Sequence, residues 1–489
     1  MHPLRHLVAL VTLLALAVTA ACAQPADEDQ LRDGRRSGSA PADGTGPGQD
    51  SLAWESCGSG AECATLDVPV DHDRPDGDTL TLSIARVPAG GERIGALFVN
   101  PGGPGGTATD FAVGLAYGLP REITDRFDIV GVDPRGLGAS DIDCGGDIAE
   151  LYGVDPSPDS AAEVDTLLSV SEDYVDGCEQ AAGDLLPHLG TRQVARDIDA
   201  VRAAMGDEQL NYLGYSYGTA IGQALLEVAP ERVRAMVLDG VLELGPTGPE
   251  LAVAQAKGFE RAFDSFAADC DADPSCPLAP DAAGAVEELI VRVEREPIPA
   301  SPRDLGPGEL AIGLAMPLYS ERMWPTLARS IDDALDGDGT GLVRSADQYI
   351  GLADFDIYFA VNCIDFEWPD DPRELLAIGE DAAGVAPRFG EAIVNDYVRC
   401  PMWPAAGEPL APVDGADGPP VIVVSTRNDP ATPYEAGVEV AERLVEGRLV
   451  TYEGEGHGIV AQGVACVDDI VARYLVDLDV PPGDTTCAP

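Results

Sequence analysis

The chain has 489 residues, 45% of them hydrophobic, which is more core than one simple domain needs and points to a large domain with an insertion, or to two domains. Its 85 acidic and 30 basic residues give a formal charge of −55, with Lys257 the only lysine. Such a surface repels phosphate backbones, which argues against a nucleic-acid partner and against adhesion to anionic lipid through charge alone.

The first 22 residues, "MHPLRHLVALVTLLALAVTAAC", carry one arginine (Arg5), an apolar run from Leu7 to Val18 and then small residues. That is the pattern of a secretory signal peptide and too short for a membrane span. Two processing routes are open. Ala21-Cys22-Ala23 fits an ordinary small-x-small cleavage site, whereas Thr19-Ala20-Ala21-Cys22 is similar to a bacterial lipoprotein box and would make Cys22 a lipidated N-terminus. Residues 23–52 are rich in Asp, Gly, Pro, Ser and Arg and lack apolar periodicity, so a disordered tether is expected there. The protein is therefore expected outside the cell, either secreted or held by lipid at the outer face of the membrane.

Cysteine usage agrees with export. Removing Cys22 from the eleven cysteines leaves ten, an even number that suits five disulfides in an oxidising compartment. Short loops close at least entropic cost, which favours pairing neighbours: Cys57 with Cys63, Cys144 with Cys178, Cys270 with Cys276, Cys363 with Cys400, and Cys466 with Cys487. The absence of C-x-x-C spacing argues against zinc.

From Leu80 onward, strand and helix signals alternate. Thr79–Val87 is β-rich; Gly95–Gly106 is an apolar strand running into a glycine-proline loop; Ile129–Val132 is a strand followed by the turn "DPRGLGAS". Thr191–Gly206 has Val194, Ile198, Val201 and Met205 at helical spacing, with Thr191 expected as N-cap and Gly206 as the C-terminal stop. "LNYLGYS", Val233–Gly240, Pro420–Pro430 and Arg448–Gly458 complete the strand series. Short apolar strands separated by helices predict an α/β fold with a mostly parallel central sheet. Between about 242 and 403 amphipathic helices replace this rhythm, so the expected organisation is a core over 53–241 and 404–489 interrupted by a helical cap over 242–403.

Four features converge on acyl-transfer chemistry. Gly214-Tyr215-Ser216-Tyr217-Gly218 is a G-x-S-x-G pattern between a strand and a helix, where a sharp turn would expose Ser216 as nucleophile. The loop Asn100–Gly106 is poor in side chains and lacks the G-K-[ST] ending of a phosphate-binding loop; Gly102, Gly103 and the N–H of Tyr217 are candidates for an oxyanion hole. Asp429 follows one late strand and His457 the next, giving the chain order Ser, Asp, His. Asp239, at the end of "VLDG", is a rival acid. Of the other histidines, His2 and His6 leave with the signal, and His72 and His188 sit in proline-flanked turns.

These motifs carry a resemblance. "NPGGPGG", "DPRGLGAS", "ARDIDAVRAAMG", "NYLGYSYGT", "VLDGV", "STRNDPATP" and "GEGHG", with the final cysteine pair, are similar to the secreted tripeptidyl aminopeptidases of actinobacteria, in the prolyl aminopeptidase branch of the α/β-hydrolases. Pro101 stands where prolyl iminopeptidases have histidine. The likeness runs from Trp54 onward and implies an α/β-hydrolase fold, a Ser216–His457–Asp429 triad, peptide substrates and no metal or cofactor. It does not separate an exopeptidase from an esterase or amidase on small molecules, nor from a non-catalytic surface binding protein. An exopeptidase needs carboxylates where the substrate ammonium arrives, and Glu243, Glu250, Asp365 and Glu367 are the candidates near the strand ends.

Overall fold

The computed structural model describes residues 51–489 apart from residue 406; the expected signal peptide, Cys22 and nearly all of the expected tether lie outside the described residues. Ser51 belongs to the folded unit, its N–H and hydroxyl both donating to the Ala204 carbonyl at 2.8 and 2.9 Å.

In chain order the strands are β1 (Glu55–Gly58), β2 (Ala61–Pro69), β3 (Thr79–Val87), β4 (Gly95–Asn100), β5 (Phe127–Val132), β6 (Leu210–Tyr215), β7 (Val233–Asp239), β8 (Val421–Asn428), β9 (Gly447–Glu455) and β10 (Thr485–Cys487). They form one sheet in the order β1-β2-β3-β5-β4-β6-β7-β8-β9-β10. From β5 to β10 every pairing is parallel, and the three leading strands are antiparallel. Strands β4, β5 and β6 are buried along their whole length, which requires cover on both faces and is why they read as unbroken apolar runs. This is the expected α/β-hydrolase sheet. Strands β1, β2 and β10 were not anticipated, because β1 and β10 are short edge strands, β2 is half-exposed, and all three lean on the disulfides Cys57–Cys63 and Cys466–Cys487. All five bridges join the cysteines expected.

Helix α1 (Thr191–Ala204) ends as predicted, with Gly206 in the left-handed region at φ 79°, but Gly190 is its N-cap. Thr191 is instead the first helical residue, and its hydroxyl is spent elsewhere. Helix α2 (Gly218–Val228) follows β6 directly. Between β7 and β8 the chain is helical apart from short 3-10 turns and one isolated bridge, beginning with α3 (Gly248–Ala272) and including α4 (Phe355–Asp365). The helices from α3 to about residue 343 share an apolar cluster of their own around Phe263, Phe266, Leu289 and Ile331, whereas α4 packs into the cluster on one sheet face. Among the described residues no helix is long and apolar enough to cross a membrane.

The turn after β5 is held by a buried ion cluster. Arg135 is fully buried and donates Nε and Nη2 to the two Asp197 carboxylate oxygens at 2.8 and 2.7 Å, while Nη1 donates to the carbonyls of Val70 and His188. His72 Nε2 lies 2.7 Å from the same carboxylate, so this histidine has a structural partner. Removing Asp197 strands a buried guanidinium. Asp197→Ala is expected to lower stability by about 3–5 kcal/mol, read as a shift in the denaturant midpoint at unchanged slope.

Candidate active site

Ser216, Asp429 and His457 follow β6, β8 and β9 and therefore all lie along one edge of the sheet, the C-terminal ends of its parallel strands. Ser216 has φ 54°, a conformation rare for a residue with a side chain, as a nucleophile turn requires. Its N–H donates to the Asp239 carbonyl (2.9 Å), and its carbonyl accepts from the Thr219 N–H and hydroxyl (2.9 and 2.6 Å), so the turn is pinned from both sides.

The histidine is fixed by three separate contacts. Nδ1 lies 2.8 and 2.9 Å from the two oxygens of Asp429, and its backbone N–H donates to the Tyr319 carbonyl at 3.1 Å. The Tyr319 ring meets the imidazole edge-on at 5.6 Å. With Nδ1 committed, Nε2 is left without a partner among the described residues. Neighbours on each side join it to the serine turn: the Tyr215 hydroxyl donates to the Val460 carbonyl at 3.2 Å. Burial pulls the His457 pKa down, but the adjacent Asp429 carboxylate outweighs it, and the net shift is upward.

Asp429 is almost completely buried, and hydrogen bonds replace the water it lacks. Oδ1 accepts from the N–H groups of Ala431 and Thr432, and Oδ2 accepts from the Thr432 hydroxyl at 3.1 Å. That hydroxyl also lies 3.2 Å from His457 Nδ1, so Thr432 braces the pair. Sequence reasoning did not single out Thr432; the signal was its place three residues after Asp429, where a threonine closes a turn on an aspartate.

The rival acid has another role. Asp239 Oδ2 accepts the N–H groups of Ile459 and Val460, both at 2.7 Å, while Oδ1 has no partner. Burial pushes its carboxyl up to about 7, against the pull of those two N–H groups. Asp239 thus clamps the segment after His457, and its hydrogen bonds go to that backbone and not to the imidazole.

Gly102 needs correcting as an oxyanion donor. Its N–H is already donated to Asn100 Oδ1 at 2.9 Å. What the position requires is the absence of a side chain: φ is 95°, and a Cβ there would lie 2.8 Å from Ser216 Cβ and 2.9 Å from Tyr217 N. The N–H groups of Gly103 and Tyr217 have no acceptor among the described residues.

Of the four candidate substrate carboxylates, the structure removes one. Asp365, at the end of α4, is 3% exposed and accepts from the Thr191 N–H (3.0 Å) and hydroxyl; that hydroxyl also contacts the Tyr217 hydroxyl at 2.6 Å. Burial pushes the Asp365 carboxyl up to about 6. It ties the helical segment to α1 and to the residue beside Ser216, and it faces no cleft. Glu243, Glu250 and Glu367 do border an open groove of about 970 Å³ that also reaches Thr432. Glu243 is paired with Arg443 at 2.8 Å, and Glu250 closes a capping box on Thr247, whose bonds hold its carboxyl below the ordinary range. Glu367 is exposed at the groove wall.

Comparison with known proteins places the chain. It is 38% identical over 460 residues to serine protease Hip1 of Mycobacterium tuberculosis, covering 88% of this chain and 87% of that protein. The chain belongs to the tripeptidyl aminopeptidase-like serine hydrolases. The family model described as TAP-like protein matches residues 386–487. A tripeptidyl aminopeptidase of Streptomyces coelicolor is 30% identical, covering 90% of this chain and 86% of that protein. Carboxylesterase B of Mycobacterium tuberculosis is 38% identical, covering 92% and 93%. A solved esterase from Thermogutta terrifontis is 13% identical at a TM-score of 0.37 and covers 85% of this chain and 98% of that one. Family membership makes this protein a serine hydrolase.

Gly240 offers a direct test of the histidine's seat. Its φ is 64°, and a Cβ there would lie 2.8 Å from His457 Cε1. Gly240→Ala is expected to displace the imidazole from Asp429, with loss of the far-downfield Nδ1–H proton resonance that such a pair gives by NMR.

Proposed function

We propose that the protein is an exported serine exopeptidase that releases short peptides, tripeptides by the family likeness, from free N-termini. The observation that carries this reading is the left-handed Ser216 at the end of β6, with a buried His457–Asp429 pair after β8 and β9 at the same edge of the sheet. Ser216 attacks the scissile carbonyl as His457 Nε2 takes its proton; Asp429 holds the tautomer and stabilises the imidazolium. The N–H groups of Tyr217 and Gly103 receive the oxyanion. His457 then protonates the leaving amine, and water releases the acyl group in a second cycle. Cys22 as a lipidated mature N-terminus belongs to the same proposal, and mass spectrometry of the native protein tests it: a diacylglyceryl group supports anchoring, and an unmodified N-terminus further along refutes it.

A relative named as a carboxylesterase keeps the esterase reading open. Tripeptidyl-coumarin amides with free and acetylated N-termini, assayed beside a p-nitrophenyl ester, decide between them. Preference for the free amine is expected; equal rates on blocked peptides, or activity on the ester alone, would sink the exopeptidase.

Ser216→Ala and His457→Ala are each expected to lower kcat about a millionfold, and Asp429→Asn about ten-thousandfold, with folded protein retained. Asp239→Asn keeps an oxygen for the two backbone donors and should chiefly change the melting temperature. A dead Asp239→Asn beside an active Asp429→Asn would reverse the assignment.

The pH profile follows from the same pair. The base must be neutral, and its pKa lies above the ordinary 6.5. Activity should therefore fall as pH drops through a value above 6.5, and in Asp429→Asn the residual activity should show that limb at lower pH, since the group that raises the pKa is gone.

A further inference from the structure

Helices between β7 and β8, together with residues 151–167 between β5 and β6, line a partly open cavity of about 70 Å³ that the chemistry above does not use. At the space one water needs, it holds about five waters, or the ammonium end of a peptide with its first atoms, and no further chain. Its walls are aromatic, with Tyr152, Tyr349, Tyr358, Tyr397 and Phe259 among them, and the carboxylate of Asp396 opens into it.

Asp396 is poorly satisfied for a sheltered charge. Its side chain is 17% exposed; the Tyr152 hydroxyl donates to Oδ2 at a long 3.3 Å. Arg399, the other charged group in the wall, makes its close bond to the Asp396 backbone carbonyl (2.6 Å) and reaches Oδ1 only at 3.5 Å, with its guanidinium over the Phe359 ring. Acceptor sites on the carboxylate therefore remain open. Burial pushes the carboxyl up to about 6, with Arg399 pulling it back, so it is mainly anionic at neutral pH. Aromatic side chains around a partly buried carboxylate select an ammonium group over a neutral amide.

The cavity adjoins the His457–Asp429 pair. Gln255 of α3 lines it and donates to the Ala431 carbonyl at 3.0 Å, two residues from Asp429. Gly258 on the same helix packs so closely that a Cβ would lie 3.1 Å from the Asp429 carbonyl oxygen. Phe259 meets Tyr319 at 5.6 Å, the ring that contacts His457. Gln255 and Tyr397 also border the open groove, so cavity and groove share a wall.

We infer that Asp396 and the surrounding tyrosines receive the free α-ammonium of the peptide by way of the groove, and that the small size of the cavity sets where the substrate must begin. The inference rests on the exopeptidase reading, and the test keeps the two apart. Wild type, Asp396→Asn and Asp396→Glu are compared on a tripeptidyl-coumarin amide with free and with acetylated N-terminus, with kcat and KM resolved. The free-amine preference should fall about 10- to 100-fold in Asp396→Asn, mainly through KM, and recover in part in Asp396→Glu. A wild type that discriminates beside an Asp396→Asn that discriminates equally overturns this inference alone; a wild type that does not discriminate overturns the exopeptidase reading itself. If Asp396→Asn does not fold by circular dichroism, Ala311→Leu, which fills the cavity from another helix, is read instead. It should show the same fall, and an unchanged preference refutes the inference.

Discussion

The left-handed backbone of Ser216 is the constraint around which the site is built. A side-chain-bearing residue at φ 54° costs of order 1–2 kcal/mol relative to an ordinary turn, and the cost is sustained only where the surroundings leave no relaxed alternative. Here the serine N–H is held by the end of β7 and its carbonyl by the first turn of α2. Crowding follows from that geometry. The loop after β4 passes so close that Gly102 has no room for a Cβ, and the residue after Asp239 must likewise be glycine because the imidazole lies against it.

Three buried aspartates beside this turn show how one residue type takes different roles through its partners. Asp429 is surrounded by the Ala431 and Thr432 N–H groups, the Thr432 hydroxyl and the imidazole, and it orients His457. Asp239 spends one oxygen on two backbone N–H groups and leaves the other unpartnered, which suits a brace. Asp365 reaches from the helical segment to Thr191 and, through that hydroxyl, to Tyr217. The position of the residue after the nucleophile is therefore coupled to the helices above it.

Sequence patterns carry different parts of this arrangement unequally. The central strands are legible because burial on both faces forces an unbroken apolar run, and the triad is legible because its members fall at strand ends in a fixed order. The outer strands β1, β2 and β10 are not, since they lean on disulfides and a hairpin turn more than on apolar periodicity. Thr191 looks like an N-cap until Asp365, 174 residues away, is seen to claim its hydroxyl. Carboxylates in the helical segment are the hardest to rank. In an acidic chain Glu243, Glu250, Asp365 and Asp396 look alike, and only packing separates an ion-paired, a capping, a buried and a cavity-facing group.

The disulfides have a consequence for biosynthesis. Each bridge joins a cysteine to the next one in the chain, with separations of 6 to 37 residues. Ten cysteines can pair in roughly 900 ways, most of which knit distant segments together. On the proposed export route, with Cys22 lipidated or removed, a polypeptide delivered N-terminus first meets each correct partner before any later thiol arrives, so order of emergence favours the native set. Refolding from the fully reduced, full-length state loses that ordering, and vectorial oxidation should give a higher yield than oxidation in bulk.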